Sequence, residues 1–282
     1  MASLLDIRRR IRAVDNIKQV TKAMEMVAAA KLRKAQERVV AARPYARGLE
    51  EMLHRLSSQG AGLDHPLLRR REVKRRAYVV VTGDRGLCGS YNANMIRRAA
   101  AALEGSEVEA TLVAVGRKGR DFFRRRGFDL LAEFLRIGEE PTFQQAREIS
   151  GVLAHLYEAG TVDEVRIIYT EFISALSQRP VEKVLLPIGI QGGGEEAEEY
   201  IYEPSAERVL AHLVPQFLDV QVYHALLEAK ASEHGARMTA MGNATDNAAE
   251  MIEDLTLEFN RVRQASITKE ILEIVSGAEA LK

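Results

Sequence analysis

The chain of 282 residues has a single cysteine, Cys88, and six histidines with no metal-binding spacing. One cysteine excludes an intramolecular disulfide framework and is typical of a reducing compartment, so Cys88 is expected to be a small packed side chain. The histidines lack the close spacing of a helical zinc site, and no metal site is predicted. They are His54, His65, His155, His212, His224 and His234.

A long apolar run and an excess of one charge are also missing. No stretch approaches the roughly 18 uncharged apolar residues of a membrane-spanning helix, so none is predicted. The 40 Lys and Arg residues balance 40 Asp and Glu residues. Basic clusters at residues 69–76 and 117–126 are therefore better explained as solvated faces, or as surfaces for acidic proteins, than as nucleic-acid contacts.

What the sequence does contain is a long heptad-like seam near its start. Positions alternately three and four apart run from Leu4 to Leu56, and all but Thr21 are apolar. The mean step of about 3.5 residues is the left-handed coiled-coil period, which requires a partner helix. Pro44 is expected to kink or split this helix. The seam positions are Leu4, Ile7, Ile11, Val14, Ile17, Thr21, Met24, Ala28, Leu32, Ala35, Val39, Ala42, Ala46, Leu49, Leu53 and Leu56.

The partner is predicted at the other end of the chain, after Ser205. There Pro215 is expected to divide the run into a short and a long helix. The same spacing recurs at Ala248, Ile252, Leu255, Phe259 and Val262. Before these positions, small residues form a narrow stripe that predicts close packing on the first helix, in preference to a ligand contact. They are Ala229, Ser232, Ala236, Thr239, Ala240 and Ala244, with Gly235 and Gly242 nearby.

Charge supports the pairing of the two ends. Residues 1–58 hold 13 Lys plus Arg against 6 Asp plus Glu, whereas residues 198–282 hold 7 against 15. Opposite charge beside a seam favours that partner, although each exposed pair adds only a few tenths of a kcal/mol. The simplest arrangement is antiparallel, since the chain must run out along one helix and return along the other.

The middle of the chain alternates short β-rich runs with amphipathic stretches. Strands are predicted at residues 77–82, 110–115, 130–134, 164–172 and 181–188, and helices at 90–103, 117–126 and 142–159. This alternation predicts a partly parallel sheet covered on its faces.

The predicted fold is therefore mixed α/β: a long antiparallel coiled coil of the N- and C-terminal helices plus a central Rossmann-like α/β domain. The predicted division is 1–58 for the first long helix, 59–75 for a linker, 76–190 for the central domain, 191–204 for a flexible connector and foot, and 205–282 for the second long helix.

The strongest candidate for a phosphate-binding loop is GDRGLCGSYN at residues 83–92, which follows a predicted strand and begins a predicted helix. Its glycines fall at the first, fourth and seventh positions, and no Gly-Lys-Ser/Thr follows, so it fits neither well-defined phosphate-binding loop. A structural turn is the preferred interpretation, with nucleotide binding as the minor alternative. No catalytic residue and no cofactor site are predicted.

Three segments together resemble the gamma subunit of the F-type ATP synthase, bacterial type. They are residues 12–31 with IKQVTKAMEMV, residues 84–89 with DRGLCG, and residues 244–271 with ATDNA and NRVRQASITKEI. The resemblance covers the whole chain in order, and the tail motif is highly specific.

This resemblance implies a non-catalytic central-stalk rotor that couples proton flow through a membrane c-ring to ATP synthesis or hydrolysis at the beta subunits. It implies alpha, beta, epsilon and c-ring partners, one copy per complex, and a peripheral location on the cytoplasmic face of the cell membrane, with no nucleic acid bound and no membrane insertion. Two other classes stay open from the residues alone: a nucleotide-binding α/β enzyme with coiled-coil arms, and a basic coiled-coil protein that binds nucleic acid.

The resemblance also assigns partner-binding residues. Arg263 and Gln264 correspond to side chains that reach acidic or polar groups on the beta subunits, with Thr268 close by. Met24 corresponds to a position that faces another beta-subunit loop. The foot that meets the c-ring and the epsilon subunit corresponds to Tyr200, Tyr202 and Glu203.

Overall fold

The computed structural model describes residues 4–58, 65–175, 177–189, 203 and 205–280. The helices are α1 Leu4–Ser58, α2 Tyr91–Glu104, α3 Arg117–Arg125, α4 Phe143–Glu158 and α5 Ala206–Ala280, with a short 3-10 helix at Pro66–Leu68. The strands are β1 Arg75–Val81, β2 Glu109–Val115, β3 Leu130–Phe134, β4 Glu164–Phe172 and β5 Gln178–Leu186. No helix in these ranges is long and apolar enough to cross a membrane.

The chain forms two compact units, and both long helices contribute to each. One unit comprises residues 28–237 and holds the sheet, and the other comprises residues 1–27 and 238–282. The mixed α/β fold with long terminal helices and a central sheet is confirmed.

The larger unit is built on a five-stranded sheet in the order β3-β2-β1-β4-β5. The first four are parallel where they pair, and β5 is antiparallel to β4. The inner strands are near-continuous apolar runs, as expected for a sheet that is buried on both faces. Two hydrophobic clusters lie there: one includes Leu53, Leu153 and Leu218, from α1, α4 and α5, and the other includes Met95 and Phe123, from α2 and α3.

All eight predicted elements of this domain are present, with small shifts at their ends. The predicted strands 130–134 and 164–172 coincide with β3 and β4, whereas β5 starts three residues before the predicted strand. Helix α4 begins after Thr142, whose hydroxyl accepts a hydrogen bond from the Gln145 amide in a reciprocal capping box.

Neither proline divides its helix, so the predicted division at Pro215 and the predicted split at Pro44 are wrong, whereas a kink at Pro44 stays a prediction. A proline frees the carbonyl four residues earlier. Those carbonyls belong to Val40 and Ala211, and both residues lie on exposed faces where water can hydrate the group. Buried apolar side chains on either side of each proline hold the helix together.

In the smaller unit, the start of α1 and the end of α5 run antiparallel, as predicted. Thr245 Oγ1 donates a hydrogen bond to Thr21 Oγ1 at 2.9 Å, and the Arg8 guanidinium lies 5.4 Å from the centre of the Phe259 ring. As the residue number rises in one helix, it falls in the other. The seam is buried at Ile7, but Ile17 is 55% exposed, so its assignment to the seam is wrong.

The small-residue stripe of α5 packs differently along its length. In the larger unit, Ser232 Oγ donates to the Thr170 carbonyl at 3.1 Å, and a Cβ on Gly235 would lie 3.5 Å from Ala175. That part of the stripe therefore packs on the end of the β4–β5 hairpin, and the prediction that it packs on the first helix is wrong there. In the smaller unit Gly242 does face α1, since its added Cβ would lie 3.7 Å from the Glu25 carboxylate.

Candidate functional site

The three tail residues assigned to partner contacts lie on one exposed stretch of α5. Arg263, Gln264 and Thr268 are exposed, and the Arg263 side chain has no hydrogen bond or ion pair with any described residue. Thr268 donates its hydroxyl to the Gln264 main-chain carbonyl at 2.9 Å, a bond that does not involve the exposed Gln264 side chain. These side chains are available to a partner.

Met24 lies elsewhere in the same unit. It is half-buried on α1, in the turn where Glu25 approaches Gly242. Since Gly242 and Arg263 are separated by about 30 Å of helix at 1.5 Å per residue, Met24 and Arg263 do not form one site. Of the predicted foot, Glu203 is exposed, and Tyr200 and Tyr202 lie outside the described residues.

The loop at residues 83–92 satisfies its own polar groups. The Gly83 amide donates to Asn92 Oδ1 at 2.9 Å, and Asp84 Oδ1 accepts from the Arg117 amide at 2.9 Å and the Arg136 amide at 3.4 Å. A carboxylate of the chain thus occupies the N-terminus of α3, where a dinucleotide-binding fold would place a phosphate. The loop ties together the carboxyl ends of β1, β2 and β3.

Cys88 and Tyr91 lie inside this loop and are both buried. Burial raises the pKa of the Cys88 thiol, so the group is neutral and unreactive at physiological pH. The Tyr91 hydroxyl donates to the Ala229 carbonyl at 3.1 Å and joins α2 to α5. The expectation of a packed cysteine is confirmed.

Sequence reasoning missed a polar cavity of about 250 Å³ at the carboxyl edge of the sheet. Its lining combines the loops after β1, β2 and β3 with one face of α5. The lining residues are Asp84, Arg85, Arg117, Arg136, Gly138, Glu139, Lys230, Glu233, His234 and Arg237.

The α5 side of this cavity is a buried charged stripe. Glu233 accepts hydrogen bonds from Lys230 at 2.8 Å and from Arg237 at 2.6 Å, and all but about 4% of its side chain is buried. Burial would raise the pKa of Glu233, but the two cations outweigh it and hold that pKa below its ordinary value. The signal was present in the sequence, because residues 230, 233, 234 and 237 share one helical face that would otherwise be apolar.

Comparison with known proteins places the whole chain among ATP synthase components. Residues 3–281 match a family model described as ATP synthase. The ATP synthase gamma chains of Desulfitobacterium hafniense and Moorella thermoacetica are each 56% identical over all of this chain and all of their own length.

Solved structures show the same similarity. The central stalk and c-ring structure of the Tetrahymena thermophila mitochondrial ATP synthase contains a chain that is 28% identical with a TM-score of 0.64, over 80% of this chain and 99% of that one. A chain of the Euglena gracilis mitochondrial ATP synthase, 23% identical, has a TM-score of 0.71 over 99% of this chain and 94% of its own length, which supports the fold.

Proposed function

Because the chain belongs to the ATP synthase gamma-chain family, we propose that it is the central-stalk rotor of a bacterial F-type ATP synthase. In this role it couples proton flow through a membrane c-ring to ATP synthesis or hydrolysis at the beta subunits. It carries no catalytic group itself and works as one copy per complex, with alpha, beta, epsilon and c-ring partners, on the cytoplasmic face of the membrane. The full-length similarity leaves the nucleotide-binding enzyme and the nucleic-acid-binding protein without support.

The observation that carries this proposal is the unpartnered end of α5. The antiparallel pairing with the described part of α1 reaches only about residue 263, four residues beyond Phe259, because α1 is described from Leu4. The helix continues to Ala280. Its apolar side chains there are 48–71% exposed: Ile267, Ile271, Leu272, Ile274 and Val275.

An exposed apolar helix of this length requires a partner surface. Successive helical residues are separated by about 100°, so these five side chains spread over an arc of roughly 160° around the helix, which is wider than the stripe that a single flanking helix covers. A surface formed by several subunits around the helix, called the apolar sleeve below, would cover all five side chains. This exposed apolar arc supports the proposal that several subunits surround the end of α5.

The mechanism follows from asymmetry. A shaft without three-fold symmetry presents a different face to each of three catalytic beta subunits, so rotation changes which site is open through differential contact energy. Contacts must be released at every step. Exposed polar side chains such as Arg263 and Gln264 suit this better than a buried ion pair, whose disruption costs about 3–5 kcal/mol.

We expect Ile271→Asp combined with Ile274→Asp to reduce assembly at least tenfold, because two carboxylates would be desolvated in an apolar sleeve. The measurement is the amount of this chain that co-purifies with alpha and beta subunits, with native mass spectrometry to count one copy per three of each. Lys269→Asp changes the net charge by the same amount on the same helix and serves as the control. Equal losses for both proteins, or an unchanged yield for the double variant, would contradict the sleeve.

We further expect Arg263→Ala combined with Gln264→Ala to assemble normally but to lower torque and coupling. Loss of about 1.4 kcal/mol of contact energy in one state corresponds to a roughly tenfold change in rate. Single-molecule rotation and proton pumping per ATP hydrolysed are the readouts.

Met24→Lys in the same pumping assay is expected to lower coupling, since a new ammonium would find acidic partners. Wild-type behaviour of both proteins would remove these residues from the proposed contacts.

A further inference from the structure

The polar cavity of the larger unit has no part in the rotor function, although its composition is unusual for a structural core. Five cationic side chains and three carboxylates line it, and it opens at the edge where parallel α/β sheets commonly bind ligands. Lys230, Glu233 and His234 are all at least nine-tenths buried there. Buried charge of this kind is expensive unless it is fully paired, so the pairing identifies which groups remain available.

All three carboxylates already have partners within the chain. Asp84 accepts from two backbone amides, and Glu233 is paired with Lys230 and Arg237. Glu139 pairs with Lys31 and, at 3.2 Å, with Arg85. The negative charge of the cavity is therefore fully compensated.

The positive charge is not. Arg117 follows β2 and Arg136 follows β3, and neither guanidinium has a hydrogen bond or ion pair with a described residue. Both side chains are exposed at the mouth of the cavity. Two free guanidinium groups beside a neutralised interior leave an excess of two positive charges.

The third available group is the imidazole of His234, which lines the cavity. Its relative exposure is only 2%. Its Nδ1 lies 3.4 Å from the Arg237 guanidinium, which can only donate, so Nδ1 is the acceptor and the proton of the neutral ring lies on Nε2. Nε2 is buried without a hydrogen-bond partner of ordinary geometry in the described structure, and the Glu139 main chain interacts with the ring only weakly. Burial lowers the pKa of His234, against the opposing effects of the Glu233 carboxylate and the Glu139 main chain, so the ring is neutral at pH 7.

We propose that this cavity binds a phosphate group, held by the Arg117 and Arg136 guanidinium groups with the His234 Nε2–H as a buried donor. Guanidinium groups match phosphate oxygens with paired hydrogen bonds, and the doubly charged anion balances the excess positive charge. A divalent cation would be repelled by the same groups. The volume of about 250 Å³ lies below the roughly 300–1,000 Å³ of typical cofactor pockets, so the ligand is inorganic phosphate or a small phosphate ester.

The site differs from a nucleotide-binding loop in how it holds the anion. The α3 amides are occupied by Asp84, so binding depends on side chains and is open to substitution without disturbing the turn. The proposal is independent of the ring partners, because every group in it belongs to this chain.

The test is equilibrium dialysis of the isolated full-length chain against radiolabelled inorganic phosphate. Saturable binding of one phosphate per chain is expected. Arg117→Ala combined with Arg136→Ala should weaken it at least tenfold, whereas Arg97→Ala combined with Arg124→Ala, which removes two exposed arginines outside the cavity, should change it less than twofold. Competition by glycerol phosphate and by sulfate separates a phosphate-ester site from a general anion site.

The role of His234 has its own variants. His234→Leu removes the donor and should weaken phosphate binding several-fold, and His234→Gln, which retains an N–H donor, should recover most of the loss; circular dichroism confirms folding of both. Absence of saturable binding at millimolar phosphate, or equal loss in the two arginine pairs, would overturn the proposal. Neither result depends on assembly with alpha and beta subunits, so a failure here leaves the rotor function untouched.

Discussion

The Gly116→Ala protein is expected to lose about 4 kcal/mol of unfolding free energy in the sheet-containing unit. Gly116 joins β2 to α3 with φ +92° and ψ 148°, a region that side-chain-bearing residues avoid at a cost of about 1–3 kcal/mol. A Cβ there would also lie 2.1 Å from the Thr82 carbonyl oxygen. Relief of that overlap requires movement of β1 or α3, which adds about 1–3 kcal/mol.

Urea unfolding followed by tyrosine fluorescence measures this effect selectively. The chain has no tryptophan, and the six tyrosines among the described residues, from Tyr45 to Tyr223, all lie within the sheet-containing unit. A lower midpoint at an unchanged slope would report a loss of stability.

Two other glycines provide matched controls for the Gly116 substitution. Gly127 has φ +75° but open space around its Cβ position, so Gly127→Ala is expected to cost only about 1 kcal/mol from backbone strain. Gly151 lies within α4 in open space at ordinary φ, so Gly151→Ala is expected to stabilise the unit by about 0.5–1 kcal/mol. A Gly116→Ala protein as stable as the Gly127→Ala protein would show that the Thr82 contact relaxes at little cost.

Local pattern explains why the sheet was predictable. The β-branched runs at β1 and β4 and the capping residue Thr142 act over a few residues, so their elements follow from neighbouring sequence. The prolines misled the prediction because the penalty is also local, whereas the packing that outweighs it comes from distant parts of the chain. Ile17 misled it because a strict spacing of three and four does not state which apolar residues are covered by the partner helix.

The cavity was harder to predict than the fold. The parallel strand order brings together Arg117 and Arg136, which follow β2 and β3, whereas Lys230 and His234 come from α5 about 100 residues later in the chain. The charged stripe on α5, residues 230, 233, 234 and 237, was visible in the sequence at helical spacing. The small residues between these positions favoured an interpretation as helix packing instead. The partner-binding positions on α5 came from family resemblance, and no element of the fold singles out Arg263 from its exposed neighbours.

Two buried glutamates of α5 are expected to respond to the same substitution with opposite sign. Glu233→Gln should destabilise the sheet-containing unit by about 3–5 kcal/mol at pH 7, because it leaves Lys230 and Arg237 buried without their counter-ion. The pKa of Glu233 is held below the ordinary value of 4.5, so its contribution is present above that pH and is lost as the pH falls through the native pKa. The variant should therefore lose the acid-side decline in stability that this group causes in the wild-type protein.

Glu228 lies in the opposite electrostatic situation. Burial raises the pKa of Glu228, and the Glu171 carboxylate adds to the shift, against the opposing effects of Lys183, a Phe172 main-chain hydrogen bond and Arg43. One carboxylate oxygen is buried without a hydrogen-bond partner among the described residues, and the other lies 3.5 Å from Nε2 of His224. Burial lowers the pKa of that histidine, so it supplies no positive charge at pH 7.

Ionised Glu228 therefore lowers the free energy of unfolding as the pH rises above the pKa that this group has in the unfolded chain. We expect Glu228→Gln to stabilise the unit by roughly 0.5–1 kcal/mol at pH 7 and to have no effect at pH 4. Urea midpoints of the two variants and the wild-type protein between pH 4 and pH 7 decide the matter. Both variants remove one carboxylate from the same helix, so a general effect of net charge would move them in the same direction. Because Glu233 is paired with two cations whereas Glu228 contacts the neutral His224, we expect the two urea midpoints at pH 7 to move in opposite directions.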